Sequence, residues 1–249
     1  LNTAATYGDN FKISNHDNAS VVVTNGLFTA KSIEQVRPHL QASGVEAALQ
    51  SDGYYHIVKD VVFKVGDVSY GLIKDALIAS AKEGKSAILQ KDYKVSRIVL
   101  VSLANEAKLD LNGKTLELQM ANSSLEDAKL TISNGTLICN DKNGIFELYG
   151  STDPQVSNYS VLTIADNVTV KVPTTDDKTY FVSVGYDETK VNGVVVNFNG
   201  TYKGMCPFYI FGQVTTISEN SPTFNIGSTA KFTSNSLAYA AGYGIWNYE

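Results

Sequence analysis

Two arginines, one tryptophan, three histidines and two cysteines are all that a chain of 249 residues holds of these four types. Each scarcity excludes something. With Arg37 and Arg97 alone and a net charge of −5, there is no basic face of the kind that phosphate backbones require, so nucleic acid is excluded as a partner. No apolar run approaches the roughly 18–20 residues of a membrane span, and no basic amphipathic helix suits a lipid surface. His16, His39 and His56 stand apart from one another, without a second ligand at metal spacing. Cys139 and Cys206 are far apart in sequence and read as two buried free thiols rather than a disulfide. No Ser or Cys sits in a nucleophile elbow, and no glycine-rich loop follows a strand as a phosphate cradle.

Carboxylates are the remaining route to chemistry. Glycoside hydrolysis needs two of them about 5–9.5 Å apart. The pairs on offer, Asp176–Asp177 in "TTDDKTY" and Asp187–Glu188 in "GYDETK", are neighbours in sequence. On a strand, neighbours point to opposite faces, so these read as solvated loop charges. Neither arginine has an acidic cluster beside it. The sequence therefore predicts no catalytic residues, no cofactor and no metal, and a protein that is not an enzyme.

What is present is an apolar content of 43% with only 18% charged residues, ordinary for a globular chain. Asn, Ser, Thr, Gly and Tyr are abundant, the composition of secreted surface proteins. The chain opens at Leu1 without Met or a charged-then-apolar leader, which reads as a processed product or an excised piece. Six sequons, at Asn18, Asn122, Asn134, Asn158, Asn167 and Asn199, would matter only in a eukaryotic secretory setting.

The strongest signal is a loose internal repeat. Six segments share the pattern apolar-x-apolar, a turn of Asn, Gly, Ser or Asp, then apolar again. They are "VVVTNGLFTA", "LDLNGKTLEL", "LTISNGTLIC", "LTIADNVTVK", "VVNFNGTYKG" and "TFNIGSTAKF". Period-two alternation gives each one buried and one solvated face. Asn-Gly supplies the positive φ that a sharp corner demands. From Leu109 onward the copies start 21 to 33 residues apart, too far for hairpin strands and suited to one turn of a parallel β-helix. A β-sandwich with long loops is the competing reading. Two helices interrupt the pattern. "SYGLIKDALIASAKEG" predicts a capping helix over 69–83, with Ser69 as cap and Gly84 as stop, placed to cover the first turn. "KSIEQVRPHLQASG" predicts a short helix with Ser32 and Gln35 as a capping box, weakened or split by Pro38. "VEAALQSDGYYHIVK" reads as a hairpin about Asp52-Gly53.

The stretch "GDVSYGLIKDALIASAKEGKSAILQKDYKVSRIVLVSLANEAKLDLNGKTLEL" resembles the opening of right-handed parallel β-helix (pectate-lyase-like) proteins on the surfaces of gut and other Gram-positive bacteria. "VTNGLFTA…SDGYYHIV" is similar to the way those helices end, and "YAAGYGIWN" to a turn that runs on into a further one. The resemblance implies a secreted, surface-associated, adhesin-like protein, all-β, with no chemistry attached. Enzymes of the same architecture carry a Gly-His-Gly and an Arg-x-Lys that this chain lacks.

One departure from the family shapes the functional expectation: the ending precedes the beginning. Residues 1–60 form a strand, helix and hairpin; residues 61–249 form the β-helix. "YAAGYGIWN" has no successor, and the first segment has no predecessor. Joining them within one chain asks about ten residues, at most ~33 Å long, to span about six turns at ~4.8 Å each. Joining them between chains gives an open, heterologous contact. The expected assembly edge is Tyr239, Tyr243, Ile245 and Trp246 against Val21, Val23, Leu27 and Phe28. The reading is an extracellular, cell-surface structural protein, a homo-oligomer built head to tail. The alternatives are a surface-glycan-binding adhesin module of a larger protein and a virion fibre or decoration protein. A polysaccharide lyase or hydrolase comes last.

Overall fold

The computed structural model describes residues 5–14, 23, 26–40, 45–50, 52–59, 61–119, 123–140, 146–173, 180–184, 190–210, 221–234 and 238–240. Over these the chain is mostly β, and most of its strand pairs are parallel.

A small unit comes first. β1 (Thr6–Tyr7) and β2 (Leu27–Phe28) pair in parallel. Helix α1 (Ala30–Val36) follows, with a 3-10 turn over Arg37–His39 that takes up Pro38. The cap is Thr29, not Ser32: the Thr29 hydroxyl accepts from the Ser32 N–H at 3.2 Å, and Ser32 is buried inside the helix. The Asp52-Gly53 hairpin forms as β3 (Val45–Leu49) and β4 (Tyr55–Lys59), antiparallel, and β4 joins β2, giving the sheet order β1-β2-β4-β3. Phe28, Ile33, Val36 and Ala47 form its own core.

β5 (Phe63–Val65) and β6 (Val68–Tyr70) are an antiparallel pair, and β3 lies against β6. Helix α2 runs over Ile73–Glu83 and stops at Gly84, whose φ of 70° is the left-handed stop that glycine tolerates. It begins four residues later than the sequence suggests. Ser69 and Tyr70 are engaged in β6, opposite Lys64 and Phe63, so Ser69 is a strand residue and not the cap.

The remaining strands fall into six successive triplets. They are β7 (Ala87–Leu89), β8 (Tyr93–Val95), β9 (Val99–Val101); β10 (Ala107–Asp110), β11 (Thr115–Leu118), β12 (Ser123–Glu126); and β13 (Ala128–Ser133), β14 (Gly135–Cys139), β15 (Phe146–Tyr149). Then come β16 (Ser160–Ile164), β17 (Val168–Lys171), β18 (Tyr180–Val184); β19 (Val194–Phe198), β20 (Thr201–Lys203), β21 (Cys206–Ile210); and β22 (Thr223–Ile226), β23 (Lys231–Thr233), β24 (Ala238–Ala240). Every third strand joins the same sheet, in parallel, so three sheets run through all six layers in the orders β22-β19-β16-β13-β10-β7-β5-β6, β23-β20-β17-β14-β11-β8 and β24-β21-β18-β15-β12-β9. Each repeat legible in the sequence from Leu109 onward is one strand–corner–strand unit of this stack.

Registered pairing lines up like side chains. The inward column Leu109, Ile132, Ile164, Phe198 has no exposed member, and full burial of each such side chain contributes about 1.5–3 kcal/mol. Corners are tied between layers by asparagine. Asn134, at φ 58°, donates from Nδ2 to Asp110 (3.1 Å), while its own N–H donates to Asn167 Oδ1 (2.9 Å).

At the start of the stack α2 replaces a strand. β10 pairs with β7 only at Leu109 and Asp110, so Lys108 reaches past the strand's beginning. The buried Ser80 hydroxyl takes both of its backbone groups, accepting from the Lys108 N–H (2.8 Å) and donating to its carbonyl (3.1 Å). Ser80→Ala should cost about 2 kcal/mol in chemical unfolding, because two buried groups lose their partner; an unchanged midpoint would show that water substitutes.

Candidate functional site

The recess between α2 and β10 is lined by two carboxylates, Glu83 and Glu106, but Glu83 is paired with Lys85 and Glu106 accepts from the Thr131 hydroxyl. His56 Nε2 meets Asp52 Oδ2 at 2.8 Å on the exposed hairpin turn. Burial alone would raise the Asp52 pKa, but the Tyr54 N–H and His56 outweigh it and hold the carboxyl below its usual value. Arg37 pairs with Glu34 and lies over the Tyr55 ring, and Arg97 is exposed. Among the described residues no three of His, Cys, Asp and Glu come together as a metal would need. The acidic pairs at 176–177 and 187–188, and His16, lie outside the described residues. Cys139 and Cys206 are free and buried. Burial pushes the Cys139 thiol up, and burial pushes up the Tyr202 phenol, which donates to the Cys206 carbonyl at 3.0 Å. Both groups are thus held in their neutral forms. No helix of the described residues is long and apolar enough to cross a membrane.

What stands out instead are the two ends. β22, β23 and β24 are the outermost strands of their three sheets. The side chains there continue the interior without being enclosed by it. Ile226 pairs with the fully buried Phe198 but is 43% exposed, although its column is otherwise sealed. Phe224 and Phe232 are half-buried, and with Phe198 and Phe208 they form a cluster of rings: Phe198–Phe232 at 5.1 Å, Phe208–Phe224 at 5.0 Å. On the outer face the Asn225 Nδ2 donates to Asn197 Oδ1 (2.8 Å), and Asn197 Nδ2 to Thr163 (3.1 Å), a ladder that climbs the sheet and arrives at the last strand.

Among the described residues β1 is the outermost strand of the first sheet, paired with β2. Its Tyr7 ring stacks on Phe28 at 4.9 Å and 11°. β1 is an end strand of the first sheet, and β22, β23 and β24 are end strands of the other three. Among the described residues β3 lies against β6, and β1 is paired with none of β22, β23 and β24.

Of the residues expected at the assembly edge, Tyr239 is in β24, opposite Tyr209. Val21, Tyr243, Ile245 and Trp246 lie outside the described residues. Val23 packs against the core of the first unit, and its N–H donates to the His39 carbonyl. Leu27 and Phe28 stand one strand in from the edge, because β2 is flanked by β1 and β4. The edge itself is Thr6-Tyr7. Sequence reading missed it, since two residues of alternation are no signal. The 21-residue interval from Thr6 to Leu27, matching that from Thr115 to Thr136, was the trace left to find. No family model, curated protein or solved structure matches this chain.

Proposed function

We propose that the three-sheet stack is a right-handed parallel β-helix, and that the protein is a non-enzymatic extracellular structural subunit that assembles head to tail through its two ends. The hand follows from the rule that parallel strands of one sheet are joined by right-handed crossovers in about 98% of cases. The observation that carries the assembly is Ile226. A column that is apolar and buried through four layers arrives at the last strand still apolar and 43% exposed. Soluble proteins blunt such edges with charge, proline or a covering helix. This chain does so at one end, with α2, and carries a second parallel edge, β1, at the far side of its first unit.

The contact is heterologous and does not close on itself, so it builds a filament or a ring. An extracellular setting agrees with the composition, rich in Asn, Ser, Thr, Gly and Tyr and poor in charge. Sedimentation velocity over a concentration series, followed by electron microscopy, tests the proposal. Concentration-dependent growth into linear or circular particles is expected. A strict monomer with a protected last layer in hydrogen exchange would end it.

A further inference from the structure

We infer that in this assembly β23 of one copy pairs in parallel with β1 of the next, with Phe232 level with Tyr7 of the second copy. The inference rests on the head-to-tail reading and names which of the three end strands is joined, and in what register.

One feature points to the sheet, and two more set the register. The first is the corner glycine. Gly135 and Gly200 each follow an Asn, as Gly26 does, and stand two residues before the inward residue of the β14/β20 sheet, Leu137 and Tyr202. A Cβ on them would lie 2.6 Å from Leu111 and 2.5 Å from the Val168 carbonyl, whereas the walled-in Gly204, two residues before Cys206 of β21, follows Lys203. Gly26 stands two residues before Phe28, and a Cβ there would meet the Phe28 ring at 2.6 Å. Phe28, and with it Tyr7, thus occupies the position of Leu116, Leu137, Val170, Tyr202 and Phe232, the column that β23 leaves unfinished.

Hydrogen-bond polarity is the second. Lys231 donates to Gly200 O and Thr233 accepts from the Gly204 N–H, both at 3.0 Å, so these residues turn to β20 and Phe232 turns its own N–H and C=O to the open side. On β1, Ala5 and Tyr7 accept from Leu27 (2.9 Å) and Thr29 (3.2 Å), so Thr6 turns outward. A parallel ladder between these two edges needs Phe232 level with a neighbour of Thr6, either Ala5 or Tyr7. The third feature is side-chain facing. Phe232 and Tyr7 both face their cores, while Thr6 and Lys231 are both exposed. Only the Tyr7 register satisfies both requirements. The Phe232 N–H then donates to Thr6 O, the Gly8 N–H donates to Phe232 O, and the rings of Tyr202, Phe232, Tyr7 and Phe28 continue one column across the joint.

The test uses full-length chains carrying one new cysteine each, since both native thiols are buried. Thr6→Cys mixed with Lys231→Cys and oxidised should give a covalent dimer absent from either variant alone. Thr6→Cys mixed with Thr223→Cys, at the edge strand of the neighbouring sheet, should give none. Thr6→Pro removes the outward N–H that in this register donates to the Ala230 carbonyl, and leaves both bonds to β2, so it should abolish assembly with an unchanged circular dichroism melt. Cross-linking to position 223, or assembly without cross-linking to 231, or assembly by folded Thr6→Pro overturns the register while leaving head-to-tail growth standing. Monomers throughout in the wild-type sedimentation series overturn both.

Discussion

Ile226→Lys is expected to raise the concentration at which subunits associate by more than about a hundredfold, which is roughly 2.8 kcal/mol, and to leave the single subunit nearly as stable as before. In the free subunit Ile226 is 43% exposed. A lysine there lays its stem along Phe198 and keeps its ammonium in water, at a cost of about 1 kcal/mol or less. In the assembled state the same position is the middle of a closed apolar column between Phe198 and the next copy. There the ammonium loses its water without gaining a carboxylate, since neither Phe224 nor Phe232 offers one, and such burial costs several kcal/mol. The asymmetry distinguishes a joint from a merely exposed side chain. Sedimentation velocity and thermal melts on the same preparation read both halves. Association at the wild-type concentration would remove the Ile226 column from the interface and with it the observation on which the assembly rests. Ile226→Val, which keeps the apolar column, should associate close to normally.

The sequence carried the repeating part of this fold and little of its ends, for a physical reason. Inside the stack, local and long-range requirements coincide. In "LTISNGTLIC" the alternation that buries Leu130, Ile132 and Leu137 also sets the register with the layers on either side, and Asn134-Gly135 makes the corner that both layers need. At the ends they separate. Ser69 looks like a helix cap because it precedes an amphipathic run, yet pairing with Lys64 in β6 holds it in a strand, and α2 waits for Ile73. Ser32 and Gln35 satisfy a capping pattern that Thr29 takes over one turn earlier. Ser80 reads as a neutral residue on a helix, and its role, completing Lys108 twenty-eight residues on, follows from a strand ending short and has no local mark. The same holds for the candidate site. Tyr7 and Phe232 belong to the same kind of position, but one is a two-residue strand before the first clear repeat. The other differs from its buried equivalents only in standing, among the described residues, at the end of its sheet.

Phe198→Ala is expected to cost about 3–5 kcal/mol, the range for deleting a fully buried phenylalanine ring, and to do so unevenly along the chain. The Phe198 ring is the hub of the last layers, 6.3 Å from Phe181, 6.0 Å from Phe208 and 5.1 Å from Phe232, and its backbone is in register with Ile164 below and Ile226 above. Toward the α2 end the corresponding positions are aliphatic, Ile132 and Leu109, each flanked by layers on both sides. Where every layer touches only its neighbours, stability is a sum of layer and interface terms, and the loss concentrates where a layer has fewest neighbours. Removing the ring empties space that the half-buried Phe224 and Phe232 cannot both fill, because each is held by its own strand. Amide exchange should therefore accelerate from β19 to β23 and hardly change at Leu116 or Leu137, and the truncated last layers should also lose the ability to join another copy. Uniform acceleration across all six layers would show a single cooperative unit, in which case the open edge is as rigid as the middle of the stack and association would bury surface without ordering it. Selective acceleration means that the last layer is the soft one, and that a second subunit docking on it supplies the packing that the lower layers already receive from their neighbours.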